Sequence, residues 1–158
     1  MSDERDKNKT LWRISAYPDL SGRGGVLASG RWHSAGKPVV YLADSPSSAM
    51  LETLVHLEMD FEDLPDTYRL LKVGIPKAAS IDQESAQRMP VGWHADRALT
   101  QSIGDRWLEE GESLLLEVPS AVMPHTQNYM LNPLHNQAGD VEFEIEPCPF
   151  DERLFGRR

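Results

Sequence analysis

The sequence predicts an α+β fold, on three observations. Short runs rich in β-branched and aromatic residues recur along the chain (PVVYLA, YRLLKVGI, SLLLEV and VEFEI), as strands require. Two stretches carry helical spacing over several turns, one after Ser45 and one after Asp96. Strands and helices do not alternate regularly, which argues against a parallel βαβ sheet. The expected architecture is a set of short mixed or antiparallel strands with flanking helices.

Taken in order, Met1 to Thr10 (MSDERDKNKT) is polar and reads as a flexible arm, with no apolar segment of a secretory signal. Residues 11–158 read as one domain, long enough to bury a full core. Leu11 to Ser15 (LWRIS) reads as a first strand, in which Arg13 fits an edge-strand charge. Pro18 to Gly30 is a glycine-rich loop carrying Arg23; it matches neither the Walker pattern nor the dinucleotide fingerprint. Pro38 to Ala43 suits a strand buried on both faces. Asp44 and Ser45 are N-cap candidates and Pro46 suits the first helical turn, so a helix is expected from Pro46 to about Asp60. Its apolar arc would be Met50, Leu54, Leu57 and Phe61, widened by Leu51 and Val55.

Tyr68 to Ile75 reads as a strand stopped by Pro76, and residues 78–94 as irregular, with Trp93 and His94 as candidate cleft walls. Asp96 caps an expected helix to about Glu110, with Leu99, Ile103 and Trp107 inward and Gly111 as its stop. Ser113 to Val118 reads as a buried strand with Ser120 just beyond it. Val141 to Ile145 alternates as a half-buried strand whose Glu142 and Glu144 face water.

Composition narrows the class. A hydrophobic share of 40% and a charged share of 26% are those of a globular protein, and no apolar run approaches the ~20 residues of a membrane span. One cysteine, Cys148, excludes an intramolecular disulfide and a cysteine-based zinc cluster. The formal net charge of −9 disfavours direct nucleic-acid binding and suits a basic protein partner. The expected compartment is a bacterial-type cytoplasm.

Three polar residues stand where an ordinary core would not place them: Arg31 before a strand, Tyr41 inside it, and Glu52 inside the following helix. Singly, each has an ordinary explanation: a surface arginine, a core tyrosine with a bonded hydroxyl, a helix-surface glutamate. Other chemistries lack support. None of the five histidines makes an HExxH pair. Glu52 and His56 alone make a weak ligand pair. Ser120 has no G-x-S-x-G elbow and is not read as a nucleophile.

In order along the chain, GRW at Arg31, VVYLA at Tyr41, AMLETLVH at Glu52, EVPSAVMP at Ser120 and NYMLNPLHN from Asn128 resemble the RES domain. That domain is the toxin half of RES–Xre toxin–antitoxin modules. The resemblance spans Leu11 to Phe155, and departs at His33, where asparagine is commoner. It implies an ADP-ribosyltransferase-like fold that takes NAD as substrate; no metal is expected, because the residues offer no persuasive ligand set. It also implies a basic residue at Arg13 bordering the cleft, inhibition by an Xre-type DNA-binding antitoxin, and an oligomeric toxin–antitoxin complex.

Arginine, tyrosine and glutamate together can bind an anionic dinucleotide, stack on a cationic ring and stabilise positive charge on a sugar. Those are the needs of breaking the nicotinamide–ribose bond. The expected roles are Arg31, with Arg23, on phosphate or ribose, Tyr41 on the nicotinamide side, Glu52 on the ribose and its developing cation, and Ser120 as a hydrogen-bonding position. Asn128 and Asn132 are expected to hold the loop walling the pocket. The acceptor could be water or phosphate, or a protein side chain in an ADP-ribosyltransferase. A different class, a non-catalytic module binding a nucleotide or a partner, stands beside these.

Overall fold

The structure, a computed structural model, describes residues 7–57 and 60–156. Its strands are β1 (Lys7–Ser15), β2 (Val40–Ala43), β3 (Arg69–Pro76), β4 (Ile81–Gln83), β5 (Leu115–Pro119), β6 (Gln127–Leu131) and β7 (Glu142–Pro147). Its helices are α1 (Arg23–Leu27), α2 (Pro46–His56) and α3 (Arg97–Glu110). Among the described residues the strands form one seven-stranded sheet, ordered β4-β5-β6-β2-β1-β3-β7. Only β4 and β5 run parallel; the other neighbours are antiparallel. The fold is α+β, as the sequence predicts.

Alternation along the strands sorts the core onto two faces. One face carries Leu11, Val40, Leu42, Leu71, Val73, Ile75, Tyr129 and Leu131, covered by residues of connecting loops such as Leu20 and Ala138. The other carries Leu116, Val118 and Met130, packed with Trp32, Val39 and Trp107 beneath α3. The starts of α2 and α3 follow their capping residues. Ser45 accepts from the Ser48 N–H ahead of Pro46, and Asp96 accepts from the Leu99 N–H. Gly111 closes α3 in the left-handed region at φ 61°.

Several boundaries differ from expectation. β1 starts at Lys7, so Lys7, Lys9 and Thr10 pair with β3 across a bulge, and this stretch does not belong to a flexible arm. Backbone groups make that ladder, and a polar sequence supplies them as well as an apolar one. Residues 1–6 of the expected arm lie outside the described residues. The glycine-rich loop contains α1, and the expected irregular stretch contains β4. β6 falls in the block quoted from Asn128. α2 stops at His56; residues 58–59 of its expected course lie outside the described residues.

Two faces are rotated relative to the apolar spacing. In α2 the buried residue is Ala49, while Val55 is 50% exposed. In α3 the buried stripe is Thr100, Gly104 and Trp107. A Cβ on Gly104 would lie 1.6 Å from the Trp32 carbonyl oxygen, so the helix packs backbone against backbone there. Small and polar residues therefore form the contact. β7 is exposed throughout, Phe143 and Ile145 included, rather than half buried. Among the described residues no helix is long and apolar enough to cross a membrane.

Candidate active site

β1 and β2 share a single register pair, Trp12 with Ala43. Residues 12–15 of β1 and 41–43 of β2 line a cavity of about 580 Å³. Arg31, Tyr41 and Glu52 all border it, so the three residues singled out by sequence come together.

Glu52 lies on the α2 face that also presents Ala49, Thr53 and His56 to the cavity, the i, i+3, i+4, i+7 set of one helix side. Its Oε1 accepts from the Ser120 hydroxyl at 2.8 Å and from the Asn128 amide Nδ2 at 2.9 Å. Oε2 takes neither bond. Ser120 is buried and itself accepts from the Val122 and Met123 N–H groups. The hydroxyl thus ties the β5–β6 loop to the carboxylate from behind, and Ser120 is not itself part of the cavity wall. Asn128, expected to hold a loop, faces Glu52 and the cavity instead. Asn132 does hold its loop: its Oδ1 accepts from the Leu134 N–H.

Tyr41 presents its ring to the cavity and spends its hydroxyl on the fold. The hydroxyl accepts from the Trp32 N–H at 3.1 Å and lies 2.7 Å from His33 Nδ1. His33 is 1% exposed, and its Nε2 lies 3.0 Å from the Gly25 carbonyl. A carbonyl only accepts, so Nε2 carries a proton. With that tautomer singly protonated, Nδ1 accepts and Tyr41 donates to it. Burial pushes the Tyr41 hydroxyl above the ordinary phenol range, against the opposing pull of the Trp32 N–H, so it stays a donor at neutral pH. Gly30 makes room for this ring: a Cβ there would lie 2.5 Å from the Tyr41 oxygen.

Arg31 is held from two sides. Its Nη1 donates to the His94 carbonyl at 3.1 Å. Its own carbonyl accepts from Thr100 on α3 at 2.6 Å. Gln101 and Asp105 of α3 bind Gly30 and Ser34 on either side. Helix α3 therefore clamps the arginine loop, through polar residues that helical periodicity alone does not mark. Trp93 and His94 are not cavity walls. Trp93 packs on Trp32 with ring centroids 5.9 Å apart, and His94 offers its carbonyl to Arg31.

Arg13 is the residue that sequence reasoning undervalued. Its strand lies between β2 and β3, not at an edge, and Arg13 is among the residues at the cavity's border, with its register position on the Leu11 and Leu71 face of the sheet. Nη2 donates to Ser15 at 3.0 Å, while the buried Nε has no partner. Burial lowers its pKa from the ordinary guanidinium value, partly offset by Asp19. A desolvated cation with a spare donor is suited to an anion. Arg23, by contrast, is exposed on α1 and does not line the cavity, although Gly24 and Gly25 do. Among the described residues no group of three or more His, Cys, Asp or Glu could hold a metal ion.

The comparisons agree on one family. Residues 10–151 match the RES domain. The chain is 53% identical over 145 residues to "Toxin Res" of Pseudomonas putida strain KT2440, covering 92% of this chain and 99% of that protein. It is 34% identical over 156 residues to "Prs ADP-ribosylating toxin" of Sphingobium sp. strain YBL2, covering 92% and 96%. It is also 41% identical over 116 residues to "Toxin Res" of Photorhabdus laumondii, covering 72% of each.

Proposed function

The chain belongs to the RES-domain family, and from that premise we propose that it is a toxin that consumes NAD by breaking the nicotinamide–ribose bond. The observation that carries this reading is Glu52: a carboxylate fixed through one oxygen by Ser120 and Asn128, in a cavity shared with Arg13, Arg31 and Tyr41.

The chemistry follows from those groups. The C1′–N bond breaks, and its electron pair leaves with nicotinamide, which departs neutral and needs little acid catalysis. Positive charge develops on the ribose, and the Glu52 carboxylate stabilises it at short range in a partly desolvated site. The Arg31 guanidinium takes the pyrophosphate through charge-assisted hydrogen bonds. The Tyr41 ring packs the nicotinamide side. An acceptor oxygen then bonds C1′: water does so with loss of a proton to solvent and yields ADP-ribose, and an anionic phosphate oxygen yields the 1-phosphate of the same ribose. A second reading, transfer of ADP-ribose to a protein, is favoured by the relative named an ADP-ribosylating toxin.

An Xre-type DNA-binding antitoxin is the partner we propose, acting in the cytoplasm, where NAD is available. The net charge of −9 supports a basic partner, and the cation-lined cavity supports occlusion by a segment bearing a carboxylate. Induced expression followed by intracellular NAD measurement tests the reading. NAD should collapse with wild type and hold with Glu52→Gln; stable NAD with folded wild-type protein would refute it.

A further inference from the structure

β7 closes one side of the sheet, and among the described residues no strand pairs with its outer edge. All of its residues, Glu142 to Pro147, are exposed. Its register with β3 runs unbroken from Gly74–Glu142 to Arg69–Pro147, without the bulge that often protects an edge. The opposite edge, β4, is protected by its shortness, at 3 residues. A regular edge of the length of β7 offers backbone N–H and C=O groups that a further strand can pair.

Alternation gives this edge two unlike faces. Phe143 and Ile145 sit opposite Val73 and Leu71, which are fully buried, so they extend the core face of the sheet. The cover over that face stops short of them: Phe143 is 39% and Ile145 51% exposed. Glu142, Glu144 and Glu146 belong to the other face, opposite Gly74, Lys72 and Leu70. Three glutamates against one lysine leave that face acidic.

The charges decide the occupant. Two β7 strands from two copies could pair with their apolar faces together, but every such register also sets the glutamate rows side by side. Like charges directly opposite destabilise a strand pair. A slip by one residue separates the glutamates only by turning Phe143 and Ile145 to the polar face of the other sheet. The edge thus rejects a second copy and selects a strand bearing Lys or Arg. The net charge of −9 adds attraction for such a segment.

We propose that the β7 edge is a docking site for a partner protein, which adds a strand of alternating apolar and basic residues to the sheet. The apolar residues of that strand cover Phe143 and Ile145, and its cations meet Glu144 and Glu146. No residue of β7 lines the cavity, so this site is separate from the one read as catalytic.

The probe is a short end-capped peptide of alternating Lys and Val, titrated against the isotopically labelled full chain. Amide shifts should gather on β7 and β3 and saturate. A peptide of the same composition, with its lysines and valines in two blocks, should bind about 10-fold more weakly, because it cannot serve both faces at once. Glu144→Gln combined with Glu146→Gln should weaken the alternating peptide roughly 2- to 30-fold, the worth of two cross-strand charge pairs. Ile145→Lys sets a cation against the apolar face and should weaken it about 10-fold or more. NAD consumption should not change in either variant. Shifts that do not saturate, or that gather away from β7, overturn the proposal. Equal binding of the blocked peptide, or undiminished binding by the double glutamine variant, overturns it as well. A wild-type dimer in sedimentation that Ile145→Lys dissolves also overturns it, since a second copy then holds the edge.

Discussion

Gly104 of α3 lies so close under Trp32 that a Cβ would sit 1.6 Å from the Trp32 carbonyl oxygen. Thr100, one turn earlier, donates to the carbonyl of Arg31 at 2.6 Å. The helix therefore positions the arginine loop through its backbone, at a distance from the carboxylate.

Gly104→Ala should consequently damage both fold and site. The added methyl has no space, so α3 must shift from the loop, at about 1–3 kcal/mol or more. A lower melting temperature, together with weaker NAD binding, is the expected result. An unchanged melting curve and activity would show that the close packing is not needed.

Tyr41→Phe keeps the ring that borders the cavity and removes the hydroxyl. The Trp32 N–H and His33 Nδ1 then lose their partner inside the protein. The expected loss is about 1–3 kcal/mol, or roughly 2–12 °C in melting temperature for a domain of this size. Thermal unfolding checks it; equal stability would mean that the hydroxyl does not hold the loop.

Much of this was legible because it is local. Ser45, Pro46, Asp96 and Gly111 act within a turn of the helix ends they define, and each reads directly from sequence. Arg31, Tyr41 and Glu52 stand out in the sequence as polar residues in an apolar setting and as parts of the family's motifs, and all three border one cavity. Arg13 was read as an edge charge because strand order is nonlocal: only the β2-β1-β3 arrangement makes its strand internal. The α3 clamp was missed because its buried stripe is Thr100 and Gly104, residues that apolar periodicity does not mark. Asn128 was misread because its partner, Glu52, lies on a distant segment.

Arg13→Met separates stability from function. It removes a buried, incompletely bonded cation in favour of an apolar chain, which leaves stability unchanged or raised. If the guanidinium binds the pyrophosphate, KM for NAD should rise by on the order of 10-fold or more. Calorimetry and steady-state kinetics on one preparation decide it; an unchanged KM would remove Arg13 from the site.

Glu52→Gln retains shape and removes charge. If the carboxylate stabilises the transition state, kcat should fall by on the order of 10² or more, with NAD affinity changed far less. Equal losses in both would mean that Glu52 only positions the substrate.

Release of nicotinamide from NAD by purified, antitoxin-free protein, followed by chromatography with and without phosphate, is the most direct test of NAD consumption. Wild type should release nicotinamide with concomitant loss of NAD, and Glu52→Gln should release it at least about 10²-fold more slowly. NAD left intact by folded wild-type protein under both conditions, and in the presence of a cell extract supplying protein acceptors, would contradict it.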